Sequence, residues 1–366
     1  MEIATKKETT KLTFKGSENM KDTNTISLCM IVKNEEESID RCLNSVIDVV
    51  DEIIIVDTGS TDKTIELCKN YNANIYPYTW DNHFGNARNY GLSQATGDWI
   101  LWLDADEELD SSKKFNLKEF ITEKKDIFFL LPVLNYYGDN LPVNTNHFFS
   151  YYQPRLFQNN KGIQFVNRIH ETPQYPDEIS IDEYKKIPLP IHHYGYMKDV
   201  VTEKNKLQRN IELLYMEYKK EEHSPWIEYH LANEFYSKKN YTVAYEFVKQ
   251  SILQFLLQGL KPPALLYRLK YAMLMETNDF EGAWPNIEKA LLLYPDYVDL
   301  HFYKGIILYE QKNYPEALEA FEKCLELGDD HPQYLVLKGV GSFQATHYIE
   351  LCRARIDETN HNSPKQ

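Results

Sequence analysis

Cysteine is scarce in this sequence. Its five residues, Cys29, Cys42, Cys68, Cys324 and Cys352, are scattered without a C-x-x-C pair. An odd, dispersed set excludes a disulfide framework and a cysteine-built zinc site, and predicts reduced thiols in a cytoplasmic setting. Positive charge is short as well. With 40 Lys and Arg against 55 Asp and Glu, the formal net charge is −15, which removes the clustered cations that hold nucleic-acid phosphates. Long apolar runs are missing too. No stretch approaches the roughly 18 residues that a membrane-spanning helix needs, and the polar residues 1–25 lack the apolar segment of a secretory signal. Residues 1–25 are expected to form a flexible N-terminal extension and 356–366 a frayed tail.

Apolar material is plentiful by contrast. A hydrophobic fraction of 43%, with 27 Tyr and 17 Phe, can fill sizeable cores, and 366 residues suit two domains better than one. The two halves of the chain have different periods. From 26 to about 129, short apolar runs alternate with helical segments: "ISLCMIV" (26–32), "ESIDRCLNSVIDVV" (37–50), "EIIIVD" (52–57), "DKTIELCKNYN" (62–72), "ANIYPYTW" (73–80), "GNARNYGLSQAT" (85–96) and "WILWLDAD" (99–106). Strands alternating with helices predict β-α-β units and an open α/β sheet. Ligands of such sheets bind beyond the carboxyl ends of the strands, here 32–35, 57–62 and 104–106.

From about 201 the strands stop and a helical pattern repeats. "NYTVAYEFVKQSI" (240–252), "NDFEGAWPNIEKAL" (278–291) and "NYPEALEAFEKCL" (313–325) align on Ala244, Ala283 and Ala317, the last two 34 residues apart. That interval is the tetratricopeptide period, and Gly305, Ala317 and Phe321 fit its small and large positions. The predicted organisation is a Rossmann-like α/β domain over 26–200, a helical repeat domain over 201–355 and the two end segments. The repeats are expected to stack into one core and to offer either a structural appendage or a groove for a peptide.

"WILWLDADEEL" (99–109) runs from a buried strand into clustered carboxylates. Oxygen ligands at a strand end suit Mg²⁺ or Mn²⁺, which bridge diphosphate oxygens and screen charge on a leaving nucleoside diphosphate. Asp57, at the end of its strand, is placed to accept from a base N–H or a ribose hydroxyl. Asp62 is expected to cap the following helix. The aromatics Tyr136, Tyr137, Phe148, Phe149, Tyr151 and Tyr152 are read as core before cleft.

The segments "IVKNEE", "VDTGSTD", "FGNARNYG" and "WLDADEE", in this order, resemble the family 2 glycosyltransferases of the GT-A fold. "RLFQNNKGIQFVNRIHETP" (155–173) and "IHHYGY" (191–196) resemble the closing half of members that carry repeat extensions. The resemblance covers roughly 26–197. It implies an inverting transfer of one sugar from a nucleotide donor, UDP by family habit, with a divalent metal. It places Val32, Asn34, Glu35, Asp57, Arg88, Asp104 and Ala105 at the nucleotide-sugar. Asp106 becomes the direct metal ligand, with His193 resembling the late-chain histidine that completes the metal shell. Inversion requires a base opposite the leaving group. Glu171 is the preferred candidate and His170 the second, because the Glu-Asp pair of many relatives is missing.

The pairing of such a domain with repeats also resembles the peptide S-glycosyltransferases that modify bacteriocin precursors. A peptide Cys or Ser/Thr side chain, held with help from the repeats, is therefore the favoured acceptor. A glycan or lipopolysaccharide-core acceptor is the alternative. A non-catalytic repeat scaffold with a degenerate sugar-nucleotide domain is the alternative of another class. Self-association as a homodimer through the repeat surface is left open by the composition.

Overall fold

The computed structural model describes residues 24–110, 115–122, 126–138, 142–176, 185–197 and 206–362. The expected extension at 1–25 lies almost wholly outside these residues, as does the expected boundary at 200.

The first half forms the predicted β-α-β units. Strand β1 (Ile26–Val32) buries all but one of its seven residues, as a central strand covered on both faces must. It pairs in parallel with β2 (Glu52–Asp57) on one side and β4 (Trp99–Trp102) on the other, and β3 (Asn74–Pro77) extends β2 in parallel. Helix α1 (Ile39–Val46) lays Ile39, Cys42, Leu43 and Val46 on the sheet, the spacing of a single apolar stripe. Helices α2 (Thr64–Lys69) and α3 (Phe84–Leu92) complete the crossovers.

Beyond β4 the sheet becomes mixed. After a short helix α4 (Leu117–Thr122), β6 (Phe128–Gly138) and β7 (Phe148–Gln158) form a long antiparallel ribbon, and β7 also lies antiparallel to β4. The full order is β3-β2-β1-β4-β7-β6-β10-β5, where β5 is Glu107–Leu109 and β10 is Ile191–Met197. A small second sheet pairs β8 (Gln164–Val166) with β9 (Thr172–Gln174). The strand expected over 99–106 therefore ends at Trp102. The chain turns there because the Asp104 backbone N–H donates to the Glu107 carboxylate at 2.8 Å, and β5 then runs back antiparallel to β10 with His193 opposite Glu107. That register brings the end of β10 to the Asp104–Asp106 turn.

The second half is helical. Helices α5 (Lys206–Tyr218), α6 (Trp226–Ser237), α7 (Tyr241–Leu257), α8 (Ala264–Glu276), α9 (Phe280–Ala283), α10 (Ile287–Leu293), α11 (Val298–Glu310), α12 (Tyr314–Leu327) and α13 (Phe343–Asn362) stack through three apolar clusters. The three aligned alanines, Ala244, Ala283 and Ala317, are all fully buried. A Cβ at Gly305 would strike the Phe321 ring, which explains the small-against-large pairing in the repeat. Pro285 separates α9 from α10, since proline has no N–H to continue a helix. Helix α13 carries the chain in regular structure to Asn362, past position 356 where the tail was expected to begin.

The halves interlock. The two-residue strand β11 (Val336–Leu337), between α12 and α13, pairs antiparallel with Phe149 and Ser150 of β7. At the other end of the array the His170 and His230 rings stack, with centroids 3.9 Å apart.

Candidate active site

A cleft of about 660 Å³ opens at the carboxyl ends of β1 and β4. It gathers Val32, Asn34, Glu35, Arg88, Asp104, Ala105, Asp106, His170, Glu171 and His193 from five separate stretches of chain. Of the residues expected at the nucleotide-sugar, only Asp57 does not line it. Asp57 Oδ1 instead accepts from the backbone N–H groups of Ser60 and Gly59, at 2.9 and 3.3 Å, and so holds its own turn. Asp62 plays the structural part expected of it, accepting from the Thr64 N–H at 3.0 Å and the Glu36 N–H at 3.1 Å. Asn34 adopts a left-handed backbone with φ of 56°. Its carboxamide oxygen accepts from the Thr61 N–H at 2.8 Å, fastening the β1 turn to the β2 turn.

The carboxylates divide into two sets. Asp104 and Glu171 share Arg88, whose Nη2 lies 2.6 Å from Asp104 and whose Nε lies 2.6 Å from Glu171. The guanidinium is buried over the Trp102 ring, 4.6 Å from its centroid. Burial works against its charge, but Asp104 and Glu171 more than reverse this and hold its pKa above the ordinary value. Behind it, the fully buried Glu107 takes a two-pronged contact from Arg155 at 2.6 and 2.9 Å, on the same Trp102 ring. These buried pairs set the floor of the cleft and fix the turn that carries Asp104.

Asp106 belongs to the second set. His193 Nε2 stands 3.6 Å from Asp106 Oδ1, and Lys206 Nζ donates to Asp106 Oδ2 at 2.9 Å. The other ring nitrogen of His193 meets the buried Asn135 carboxamide oxygen at 2.7 Å. That contact requires a proton on Nδ1 and leaves Nε2, in the neutral ring, presenting its lone pair to the Asp106 side. Burial would raise the Asp106 pKa, but His193 and then Lys206 outweigh it and hold the carboxyl well below the usual range. For His193 burial lowers the pKa and Asp106 reverses it, so the imidazole lies above its ordinary value. Gly195 makes the approach feasible: a Cβ there would land on His193 Nε2 and within 2.7 Å of Asp106 Oδ2.

An oxygen and an imidazole nitrogen, with the Asn135 carboxamide fixing the ring, suit Mn²⁺ or Mg²⁺. A protein ammonium already rests on Asp106, so the position favours a cation. Among the described residues no three such groups form a preassembled cage. Diphosphate oxygens and water would have to complete the shell, as is usual for Mg²⁺.

His170 and Glu171 stand next to each other in the cleft wall. His170 has a left-handed backbone with φ of 53°, and its Nε2 is buried without a hydrogen-bond partner, 3.9 Å from Glu234. Burial, and then Arg209, push its pKa down to about 4. His192, the neighbour of His193, is turned away to the Tyr136 hydroxyl at 2.9 Å. Of the six aromatics noted in the sequence only Tyr151 lines the cleft; Trp80, Phe84, Trp102 and Tyr196 are its other aromatic walls. The helical half contributes Lys206, Arg209 and Asn210, all from α5. Sequence reasoning found none of these three, because the helical pattern of α5 carries no mark of what it faces.

Residues 27–182 match the family described as Glycosyl transferase family 2, and residues 298–331 match Tetratricopeptide repeat. The chain is 30% identical over 282 residues to a tetratricopeptide repeat-containing protein of Synechococcus elongatus, covering 73% of this chain and 66% of that protein. It is 28% identical over 292 residues to the SPbeta prophage-derived glycosyltransferase SunS of Bacillus subtilis, covering 78% of this chain and 67% of that one. The chain thus spans about two thirds of the length of these curated relatives. Among solved structures, S. aureus TarS 1–349 is similar over 68% of this chain and 86% of that chain, at 15% identity and a TM-score of 0.34.

Proposed function

Because residues 27–182 form a family 2 glycosyltransferase domain and 298–331 a tetratricopeptide repeat, we propose that the protein is an inverting, metal-dependent glycosyltransferase. It moves a sugar from a nucleoside diphosphate donor, UDP being favoured, to a Cys, Ser or Thr side chain of a peptide. The observation that carries this reading is that Asp104, Asp106 and His193 line one cleft at the carboxyl ends of parallel strands. Asp106 and His193 would hold the metal. A bound divalent cation supplies the charge that stabilises the leaving diphosphate.

The chain's own residues do the rest. Asn34 and Glu35 fix the nucleotide end of the cleft. Arg88 fixes Asp104 and Glu171 in register with each other. Glu171 takes the acceptor proton: Arg88 binds its Oε1, and the other carboxylate oxygen accepts. Peptide is preferred to glycan because the array begins at the cleft, with α5 supplying part of its lining. A chain with a net charge of −15 suits a Lys-rich peptide. A cytoplasmic setting is consistent with five free, buried thiols.

The test is heat stabilisation and nucleotide release by the full chain with UDP- and GDP-sugars, each with Mn²⁺, Mg²⁺ or EDTA. A true donor stabilises the fold by mass action. One donor acting only with metal is the expected result. Folded protein that no donor stabilises overturns the reading in favour of a repeat scaffold.

A further inference from the structure

The cleft contains a second polar surface that the family reading leaves without a task. Lys206 and Arg209 lie three residues apart on α5, so both project to one side of that helix, and both line the cleft. Lys206 is spent on Asp106. Arg209 is not spent. Its guanidinium lies over the Phe84 ring, 5.1 Å from the centroid. Its only hydrogen bonds among the described residues go to the Asn210 carboxamide oxygen beside it, at 3.0 and 3.3 Å, and none of their carboxylates pairs with it. A planar cation stacked on an aromatic wall, in a cleft, with Glu234, Glu171 and Glu35 near enough to act on its charge but none of them in hydrogen-bond contact, is prepared for an anion with several oxygens.

The chemistry of the donor supplies that anion. The leaving nucleoside diphosphate carries one negative charge more than the donor's diester, and more than one divalent cation cancels, and the floor beneath it is itself acidic. Arg88 and Arg155, the buried cations of that floor, are committed to Asp104, Glu171 and Glu107. Uncommitted positive charge reaches the cleft from α5. A divalent cation arriving at Asp106 would take the place of the Lys206 ammonium and free it for a phosphate oxygen.

The geometry points to Lys206 and Arg209 as the residues that bind the donor's diphosphate, with the first helix of the repeat region completing the sugar-nucleotide site. This deepens the glycosyltransferase reading and rests on it. Lys206 then has two partners in turn, Asp106 before loading and diphosphate after it. Arg209 has one.

The experiment is calorimetric titration of the full chain with inorganic pyrophosphate, UDP and uridine, each with Mn²⁺, together with Mn²⁺ alone. The proteins are the wild type, Arg209→Ala, Arg209→Lys and Lys206→Ala. Arg209→Ala is expected to bind pyrophosphate and UDP at least about tenfold more weakly, with uridine binding unchanged; tenfold is about 1.4 kcal/mol. Arg209→Lys recovers part of the loss, because charge returns without the planar fork. Lys206→Ala binds UDP more weakly but Mn²⁺ alone more tightly, since nothing competes for Asp106. Melting without ligand, equal for Arg209→Ala and wild type, controls for folding. If both alanine variants bind pyrophosphate and UDP within about twofold of the wild type, the assignment falls and the donor reading stands. If folded wild-type protein binds neither, both fall together.

Discussion

Lys206 Nζ sits 2.9 Å from Asp106 Oδ2, across a sequence separation of 100 residues. The carboxylate belongs to the sheet that the sequence advertises, and the ammonium to the first helix of the repeat array. On either side of this contact lie His193 and the Gly195 gap that admits it.

Asp106→Asn removes the anion that His193 and Lys206 share. Sugar transfer should fall by roughly 10³-fold, the several kcal/mol that a metal contributes to a charged transition state. Mn²⁺-dependent stabilisation by the donor should vanish with it. Transfer assays with one donor, paired with melting curves, check both at once. Full activity in the variant would remove Asp106 from the metal site.

Gly195→Ala tests the packing that lets His193 and Asp106 meet. The added methyl group collides with His193 and Asp106, and overpacking of this kind costs about 1–3 kcal/mol. Mn²⁺ affinity should drop by more than the fold's stability does. Urea unfolding and Mn²⁺ titration of the same preparation separate the two effects.

Arg88→Ala leaves Asp104 and Glu171 without their common cation. Breaking a largely buried pair by removing one partner costs about 3 kcal/mol or more, as the remaining charge is uncompensated. Arg88→Lys should recover part of this, since one ammonium cannot reproduce both contacts with the guanidinium's geometry. Denaturant midpoints of the three proteins check the order.

Glu171→Gln and His170→Gln separate the two candidate bases. If Glu171 takes the acceptor proton, its loss lowers kcat by about 10²–10⁴-fold while donor binding persists. His170→Gln should leave kcat within tenfold. The opposite ranking in single-turnover assays would move the role to His170.

The stacked pair His170 and His230 makes stability depend on pH. Burial holds His170 near pKa 4, with Arg209 adding to the effect, and holds His230 well below the ordinary value. In the unfolded chain both titrate near 6.5. Between about 6.5 and 4 the unfolded state therefore binds more protons, and stability falls as pH falls through that window. Glu234, close to His170 and raised by burial, contributes with the opposite slope. Asp106, held low by His193, is lost only at still lower pH. The difference in melting temperature between wild type and His170→Gln should thus shrink from pH 7 to 5. A constant difference would mean that folding leaves the His170 pKa unshifted, and a widening one that the imidazole is protonated in the fold.

The sheet and the carboxylate turn were legible because their signals are local. Continuous apolar runs announce buried strands, and acids placed directly after them announce the ligand-binding end. Gly305, Ala317 and Phe321 were legible for the same reason, as a repeat spells its packing within each unit. Asp57 has a local task that the sequence pattern did not announce, because a carboxylate two or three residues before free N–H groups bonds them. The strand over 99–106 came out shorter because Glu107 captures the Asp104 N–H. Asn135, Lys206 and Arg209 could not be found by pattern. Each reaches the site through tertiary pairing, and neither the register of β6 against β10 nor the face α5 presents is written in nearby residues.

Tetratricopeptide arrays usually tolerate duplication or loss of a unit, since each pair touches only its neighbours. Here that freedom is gone. The array is held to the sheet-bearing half at both ends, by His230 on His170 and by β11 on Phe149 and Ser150 of β7. The span between those two anchors fixes how many helices fit. An added pair between the anchors would have to displace either β11 from its pairing with β7 or α5 from the cleft.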